Sequence, residues 1–211
     1  MNITEPGSET YIGGSQEWYE VRWHKISGCG PIAASNLIWY TSRMQGDKSQ
    51  YEILMREMYS FMTPGMHGVN TSKIFTDAVS HYGAEKGMQM NLQVLEIPKK
   101  VNLRPDITTT LEFIASALHS NQPIAFLNLS NGTVKNLENW HWVTIITLDK
   151  TTGIVEVSDY GKKLDIDISE WLKTTKLGGS LVTLSQNPTI HVGADGNPPA
   201  VNQRSNNTIT C

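Results

Sequence analysis

The segment from Gly28 to Ser42 constrains the fold more than any other part of this chain. Gly28-Cys29-Gly30-Pro31 predicts the start of a helix, because proline is tolerated in a first helical turn, where its missing N–H is not needed. Apolar residues then recur at helical spacing, at Ala33, Ala34, Leu37, Ile38 and Tyr40. A helix that is apolar over so wide an arc belongs in the interior. The sequence therefore predicts a central buried helix that runs to about Ser42.

The length and composition favour a single domain. With 211 residues, of which 39% are hydrophobic, the chain can build one well-buried core, whereas each half alone would be marginal. A charged fraction of 18% and a formal net charge of -3 give no broad electrostatic footprint. We therefore expect neither nucleic acid nor a membrane as a partner, and the oligomeric state is not readable from the sequence.

The sequence carries no sign of a membrane span or of export. No apolar run approaches the roughly 20 residues of a spanning helix, and Met1 to Thr10 lack a basic stretch followed by an apolar one. We expect a soluble, cytoplasmic protein that is not fused to an exporter. The two cysteines, Cys29 and Cys211, are too few for a disulfide scaffold, so Cys29 is predicted to be a free thiol.

Helical and strand patterns are segregated along the chain. Helical periodicity predicts further helices at 50–62, at 71–83 with Asn70 or Thr71 as the cap and Gly83 as the end, at 109–120 and at 169–175. Strands are predicted at 92–97, 124–129, 140–148, 153–159 and 181–184. This order predicts an α+β fold with an antiparallel sheet. We divide the single domain 1–211 into an extended N-terminal arm (1–27), a core (28–184) and an irregular tail (185–211).

Cys29 is the candidate nucleophile. A thiol attacks as its thiolate, and the unpaired N–H groups of a helix N-terminus stabilise negative charge. Cys29 stands at such a terminus, and the flanking Gly28 and Gly30 leave room for a substrate carbonyl. The alternative is that Cys29 is a small buried residue before a turn, since free cysteine is among the most buried residue types.

His141 is the candidate base for this thiol, because a cysteine nucleophile needs a group nearby that takes and returns its proton. It begins the predicted strand 140–148, where alternation places it on the same face as Val143 and Ile145. The alternative is a hydrogen-bonded histidine at a sheet edge.

Asp159 is the candidate partner of His141. The turn from Asp149 to Gly153 predicts a hairpin whose antiparallel pairing brings Asp159 beside His141. A carboxylate there can hold the imidazole in one orientation and stabilise its charged form. The alternative is that Asp159 only begins the turn Asp159-Tyr160-Gly161.

Three short segments carry a family resemblance. They are Ser27-Gly28-Cys29-Gly30-Pro31-Ile32-Ala33-Ala34, Trp140-His141-Trp142-Val143 and Ser158-Asp159-Tyr160-Gly161. Over about 21–161, the chain resembles the papain-like cysteine peptidases, especially stand-alone relatives of the bacteriocin leader peptidases that cut after double glycine. The resemblance implies a central N-terminal helix packed on a C-terminal antiparallel sheet. It also implies hydrolysis of a peptide or isopeptide bond in a peptide or protein substrate, through a Cys29 thioester and without a cofactor or metal.

One part of the family pattern is missing from its usual place. Family members have a glutamine a few residues before the nucleophile, whose amide helps to hold the oxyanion, but no glutamine lies between Gln16 and Cys29. We predict that the ring N–H of His24, or as second choice that of Trp23, acts as the donor together with the Cys29 amide. The alternative is that both rings anchor the N-terminal arm.

Other functions are compatible with the same residues. An acyltransferase or transglutaminase-like enzyme would use the same Cys-His-Asp set with an amine or thiol acceptor, and a non-catalytic descendant would bind peptides in the cleft. A zinc site built from Cys29, His24 and His141 is a weaker alternative, because zinc motifs usually space their ligands closely.

Overall fold

The computed structural model describes residues 2–5 and 10–186 and has an α+β architecture. The helices in these residues are α1 (Arg22–Ser27), α2 (Cys29–Thr41), α3 (Lys48–Met62), α4 (Ser72–Glu85), α5 (Ile107–His119) and α6 (Ile168–Thr174). The strands are β1 (Asn2–Thr4), β2 (Thr10–Ile12), β3 (Met90–Ile97), β4 (Ile124–Asn128), β5 (His141–Asp149), β6 (Ile154–Asp159), β7 (Lys162–Asp167) and β8 (Gly179–Gln186). None of the helices in the described part of the chain has the length and apolar character that a transmembrane span requires.

The strands form two antiparallel sheets. β1 pairs with β2, and the other six strands form one sheet in the order β3-β8-β4-β5-β6-β7. The last described strand, β8, therefore lies between β3 and β4. The predicted α+β class with an antiparallel sheet is confirmed.

Helix α2 is the buried helix that the sequence predicted. Every residue from Cys29 to Trp39 is buried. The helix packs on β4, β5 and β8 on one side and on α3 on the other. The buried hydroxyl of Ser35 donates to the carbonyl oxygen of Pro31 at 2.8 Å, so this polar group is satisfied within the helix. The helix ends at Thr41, within one residue of the predicted end.

The hydrophobic core lies on both faces of the six-stranded sheet. Successive side chains of a strand point to opposite faces. In β4, Ala125 and Leu127 pack in a cluster with α2, whereas Ile124 and Phe126 pack in a second cluster with residues of α5 and α6. The central strand β4 is consequently buried along its whole length.

The N-terminal segment is not an extended arm throughout, contrary to the prediction. Residues 22–27 form α1, which stops at Gly28, where α2 begins. Upstream of α1, the chain is fixed against the end of the sheet by backbone groups. The amide of Ile12 donates to the carbonyl oxygen of Gly161 at 2.9 Å, and the amide of Gly14 donates to Asn36 Oδ1 at 3.0 Å.

Three further predicted boundaries are corrected. α4 continues through Gly83 to Glu85, because Gly83 serves close packing: a Cβ there would lie 2.4 Å from Met90 Cγ. Strand β7 was not predicted. β8 extends to Gln186, so residues 185 and 186 belong to the sheet. The rest of the predicted tail, including Cys211, lies outside the described residues.

Candidate active site

Cys29 occupies the first position of α2, where the junction with α1 is closely packed. A Cβ on Gly28 would lie 2.5 Å from the carbonyl oxygen of His24, and a Cβ on Gly30 would lie 2.7 Å from Val69 Cβ. The two glycines therefore allow the helix start to pack, rather than leaving room for a substrate carbonyl as we had expected. The thiol of Cys29 is free and 7% exposed.

His141 and Asp159 lie side by side at one end of the sheet. His141 Nε2 is 2.8 Å from Asp159 Oδ1, and only 5% of the histidine side chain is exposed. The predicted hairpin is present, with Thr144 of β5 opposite Ser158 of β6. The pairing thus brings together the two residues that the sequence placed next to each other.

His141 also faces the nucleophile candidate. Its side chain is hydrogen-bonded to Cys29, and both residues line two adjoining pockets. Because Asp159 engages Nε2, Nδ1 is the ring nitrogen that remains to exchange a proton with the sulfur. Val143 and Ile145 pack in the second core cluster, so strand alternation alone does not explain the contact with Cys29. His141 is the first residue of β5, where its side chain reaches past the end of the sheet.

The protonation of His141 follows from these contacts. Burial lowers the pKa of the imidazole, but the hydrogen bonds and charges of Asp159 and Cys29 outweigh this effect and raise the pKa to about 10. Both partners stabilise the charged ring. At neutral pH the site therefore favours an imidazolium held between a carboxylate and a sulfur.

Tyr160 and Glu138 enclose this pair. The Tyr160 ring stacks on His141, with centroids 5.6 Å apart and an interplanar angle of 17°. The Tyr160 hydroxyl donates to Glu138 Oε2 at 3.2 Å. Burial and the Glu138 carboxylate raise the pKa of Tyr160 well above its usual value, so the hydroxyl stays protonated.

Gln16 is a site residue that we did not predict. It lines both pockets together with Cys29 and His141, and its Nε2 donates to the Tyr160 hydroxyl at 3.3 Å. Gln16 lies 13 residues before Cys29, and α1 folds between them. The one signal in the sequence was that Gln16 is the nearest glutamine upstream of the cysteine.

The structure separates the two predicted oxyanion donors. Trp23 borders the cleft that contains Cys29. The His24 ring instead stacks on Tyr59, with centroids 3.8 Å apart, and lines a different pocket with Arg56. Neighbouring residues of a helix project about 100° apart, so α1 directs the two rings to different sides. His24 is not brought to the site.

The zinc alternative depends on the same residue. Because His24 lies away from the other two groups, Cys29 and His141 are not joined by the third ligand that we considered. Within residues 2–5 and 10–186, no group of three or more His, Cys, Asp or Glu side chains is arranged to hold a metal ion.

No protein-family model matches this chain, and a search of curated proteins found no significant match. The functional argument therefore rests on the geometry of the site and on the resemblance carried by its three short segments.

Proposed function

We propose that this protein is a papain-like cysteine peptidase that hydrolyses a peptide or isopeptide bond through a thioester on Cys29. The observation that carries the proposal is the contact of one buried imidazole with both Cys29 and Asp159. The position of the cysteine at the start of a buried helix supports it, because this end of a helix stabilises negative charge.

The chemistry proceeds in two steps. The Cys29 sulfur attacks the substrate carbonyl carbon, His141 gives its Nδ1 proton to the leaving nitrogen, and the C–N bond breaks to leave a thioester. Water then attacks the thioester carbonyl while His141 takes a proton from it. The C–S bond breaks, which releases the acid and restores the thiolate beside the imidazolium. The net reaction consumes one water molecule.

The oxyanion that forms in each step needs hydrogen-bond donors. Gln16 Nε2 and the backbone N–H of Cys29 are the two donors that we assign to it, since both residues line the same pocket. The hydrogen bond to Tyr160 holds the Gln16 carboxamide at this pocket in the resting state. Gln16 thus supplies the amide that the family pattern places closer to the nucleophile.

Selective alkylation tests the proposal. At pH 6 we expect iodoacetamide to modify Cys29 of the native protein much faster than Cys211, because an imidazolium stabilises the thiolate. The His141→Ala variant should lose this difference, whereas His81→Ala should keep it, since His81 lies on α4 and pairs with Glu85 at the surface. Mass spectrometry of the digested protein measures both rates.

Hydrolysis is tested on a mixture of peptides with the wild-type protein and with Cys29→Ala. We expect cleavage by the wild type alone. Equal alkylation rates for the two cysteines, or cleavage by both proteins, would contradict the proposed function.

A further inference from the structure

The geometry points to a subsite for a large apolar side chain of the substrate in the cleft beside Cys29. This inference rests on the proposed function and specifies its substrate. The cleft has a volume of about 290 Å³ and is bordered by both Cys29 and His141. A group that fills it therefore lies next to the sulfur and the imidazole.

The walls of this cleft carry a concentration of exposed apolar side chains. Trp23 (42% exposed), Ile26 (60%), Met66 (84%) and Trp140 (52%) all border it. In the described residues, Trp23 and Trp140 are also the tryptophans classed as exposed. Apolar groups gathered at one concave surface are typical of a binding groove.

These four side chains come from three separate parts of the chain. Trp23 and Ile26 lie on α1, Met66 lies in the turn 65–68, and Trp140 directly precedes β5. Helical periodicity on one element therefore does not account for their grouping. The fold brings them together only around the nucleophile.

The backbone at Trp140 supports a role in binding. Its φ of 56° lies in the left-handed region, which is uncommon for a bulky residue. Backbone strain of this kind persists where the surrounding structure fixes it, and it clusters at functional sites. The adjacent segment is held by Asn139 Oδ1, which accepts from the amide of Asn131 at 2.7 Å.

The opposite wall is fixed at its base. The turn is closed by the amide of Gly68, which donates to the carbonyl oxygen of Gly65 at 2.9 Å. Trp142 Nε1 donates to the carbonyl oxygen of Val69 at 2.5 Å. At the tip of the turn, the His67 ring approaches the Trp140 ring, with centroids 6.4 Å apart. The cleft is therefore preformed.

Charge further defines the occupant. Among the described residues that line the cleft, Glu138 is the one Asp, Glu, Lys or Arg side chain. Its carboxylate disfavours an acidic substrate residue, and the apolar walls favour an aromatic or large aliphatic one. The substrate is therefore a peptide with a residue such as Phe or Leu close to the scissile bond.

Binding to Cys29→Ala tests this subsite without any catalysis. The probes are acetylated tetrapeptide amides that differ at one position, which carries Phe, Leu, Gly, Lys or Glu. NMR follows the indole N–H signals of Trp23 and Trp140, assigned with Trp→Phe variants. The Phe and Leu peptides should shift both signals at concentrations about tenfold lower, or less, than the Gly and Glu peptides.

A matched pair of variants separates the cleft from general apolar binding. Ile26→Ala should weaken the Phe and Leu peptides, whereas Ile53→Ala should not, since Ile53 is 56% exposed on α3 and does not border the cleft. No indole shift with any peptide, equal binding of the Phe and Gly peptides, or tightest binding of the Lys or Glu peptide would overturn the inference. Because the assay needs no thiol, its failure leaves the Cys29-dependent cleavage test intact, and the reverse also holds.

Discussion

At the scale of single residues, His141 is the group whose surroundings are most fully specified. Asp159 fixes Nε2 at 2.8 Å, Tyr160 covers the ring, and Cys29 faces the remaining nitrogen. Each contact acts on the same proton. The pH dependence of turnover and the effect of single substitutions therefore report on this ring.

The alkaline limb of the pH profile depends on Asp159. The pKa of His141 is raised to about 10 in the folded protein, so the imidazole keeps its proton below that pH and loses it as the pH rises through it. We expect kcat/KM of the wild type to fall near pH 10. In Asp159→Asn the limb should move to lower pH, because an amide carries no charge to stabilise the imidazolium.

The measurement is kcat/KM between about pH 5 and pH 11 for wild type, Asp159→Asn and the control Asp165→Asn. Asp165 is exposed on β7, so its substitution should leave the limb in place. Turnover of Asp159→Asn should remain above that of Cys29→Ala, because nucleophile and base are still present. An unchanged limb in Asp159→Asn would mean that another residue orients His141.

The choice of oxyanion donor is a second question at this scale. Gln16→Ala should lower kcat about a hundredfold or more, since it removes a donor to the transition state. Alkylation of Cys29 should change little, because the donor does not act on the resting thiol. His24→Ala should keep near-wild-type turnover, because its ring packs on Tyr59 away from the cleft. A folded His24→Ala variant with strongly reduced turnover would transfer the role to His24.

At the scale of secondary-structure elements, Asn36 joins the segment that carries Gln16 to the rest of the fold. Its Oδ1 accepts from the amide of Gly14 at 3.0 Å and from the hydroxyl of Tyr51 at 2.7 Å. Its Nδ2 donates to Thr144 Oγ1 at 3.0 Å. One buried side chain on α2 thus connects the N-terminal segment, α3 and β5.

Removal of this side chain should be costly. Asn36→Ala leaves a buried amide and a buried hydroxyl without their partner, and each such group costs about 1–3 kcal/mol. We expect the free energy of unfolding to fall by about 2–5 kcal/mol in denaturant titrations, together with a loss of turnover as Gln16 is displaced. The control Asn102→Ala alters an exposed residue. A loss in Asn36→Ala no larger than in that control would contradict the assignment.

Local sequence patterns predicted the elements that carry the three proposed catalytic residues. The apolar arc of α2 and the hairpin of β5 and β6 are both local signals, and both elements are present. α1 was missed, because six residues are too few to show a helical period. β7 was missed because its polar residues leave little apolar alternation, and pairing with β6 determines its place at the edge of the sheet.

At the scale of the whole molecule, the site combines parts that are distant in sequence. Periodicity indicates which face of an element is buried, but it does not indicate which elements meet. The proximity of His141 and Asp159 could be predicted because one hairpin joins them. The approach of Gln16 to Cys29 could not, since it depends on the path of the N-terminal segment across α2 and the end of β6.

The central position of β8 has a consequence for the order of events during synthesis. β8 pairs with both β3 and β4, so these two strands have no common neighbour until residues 179–186 have left the ribosome. A nascent chain can therefore expose Cys29, His141 and Asp159 while the sheet beneath α2 is still incomplete. Domains fold as units, and pairing between distant strands comes late. A growing chain thus carries its thiol in an unassembled setting, which protects unfinished copies and their neighbours from premature cleavage.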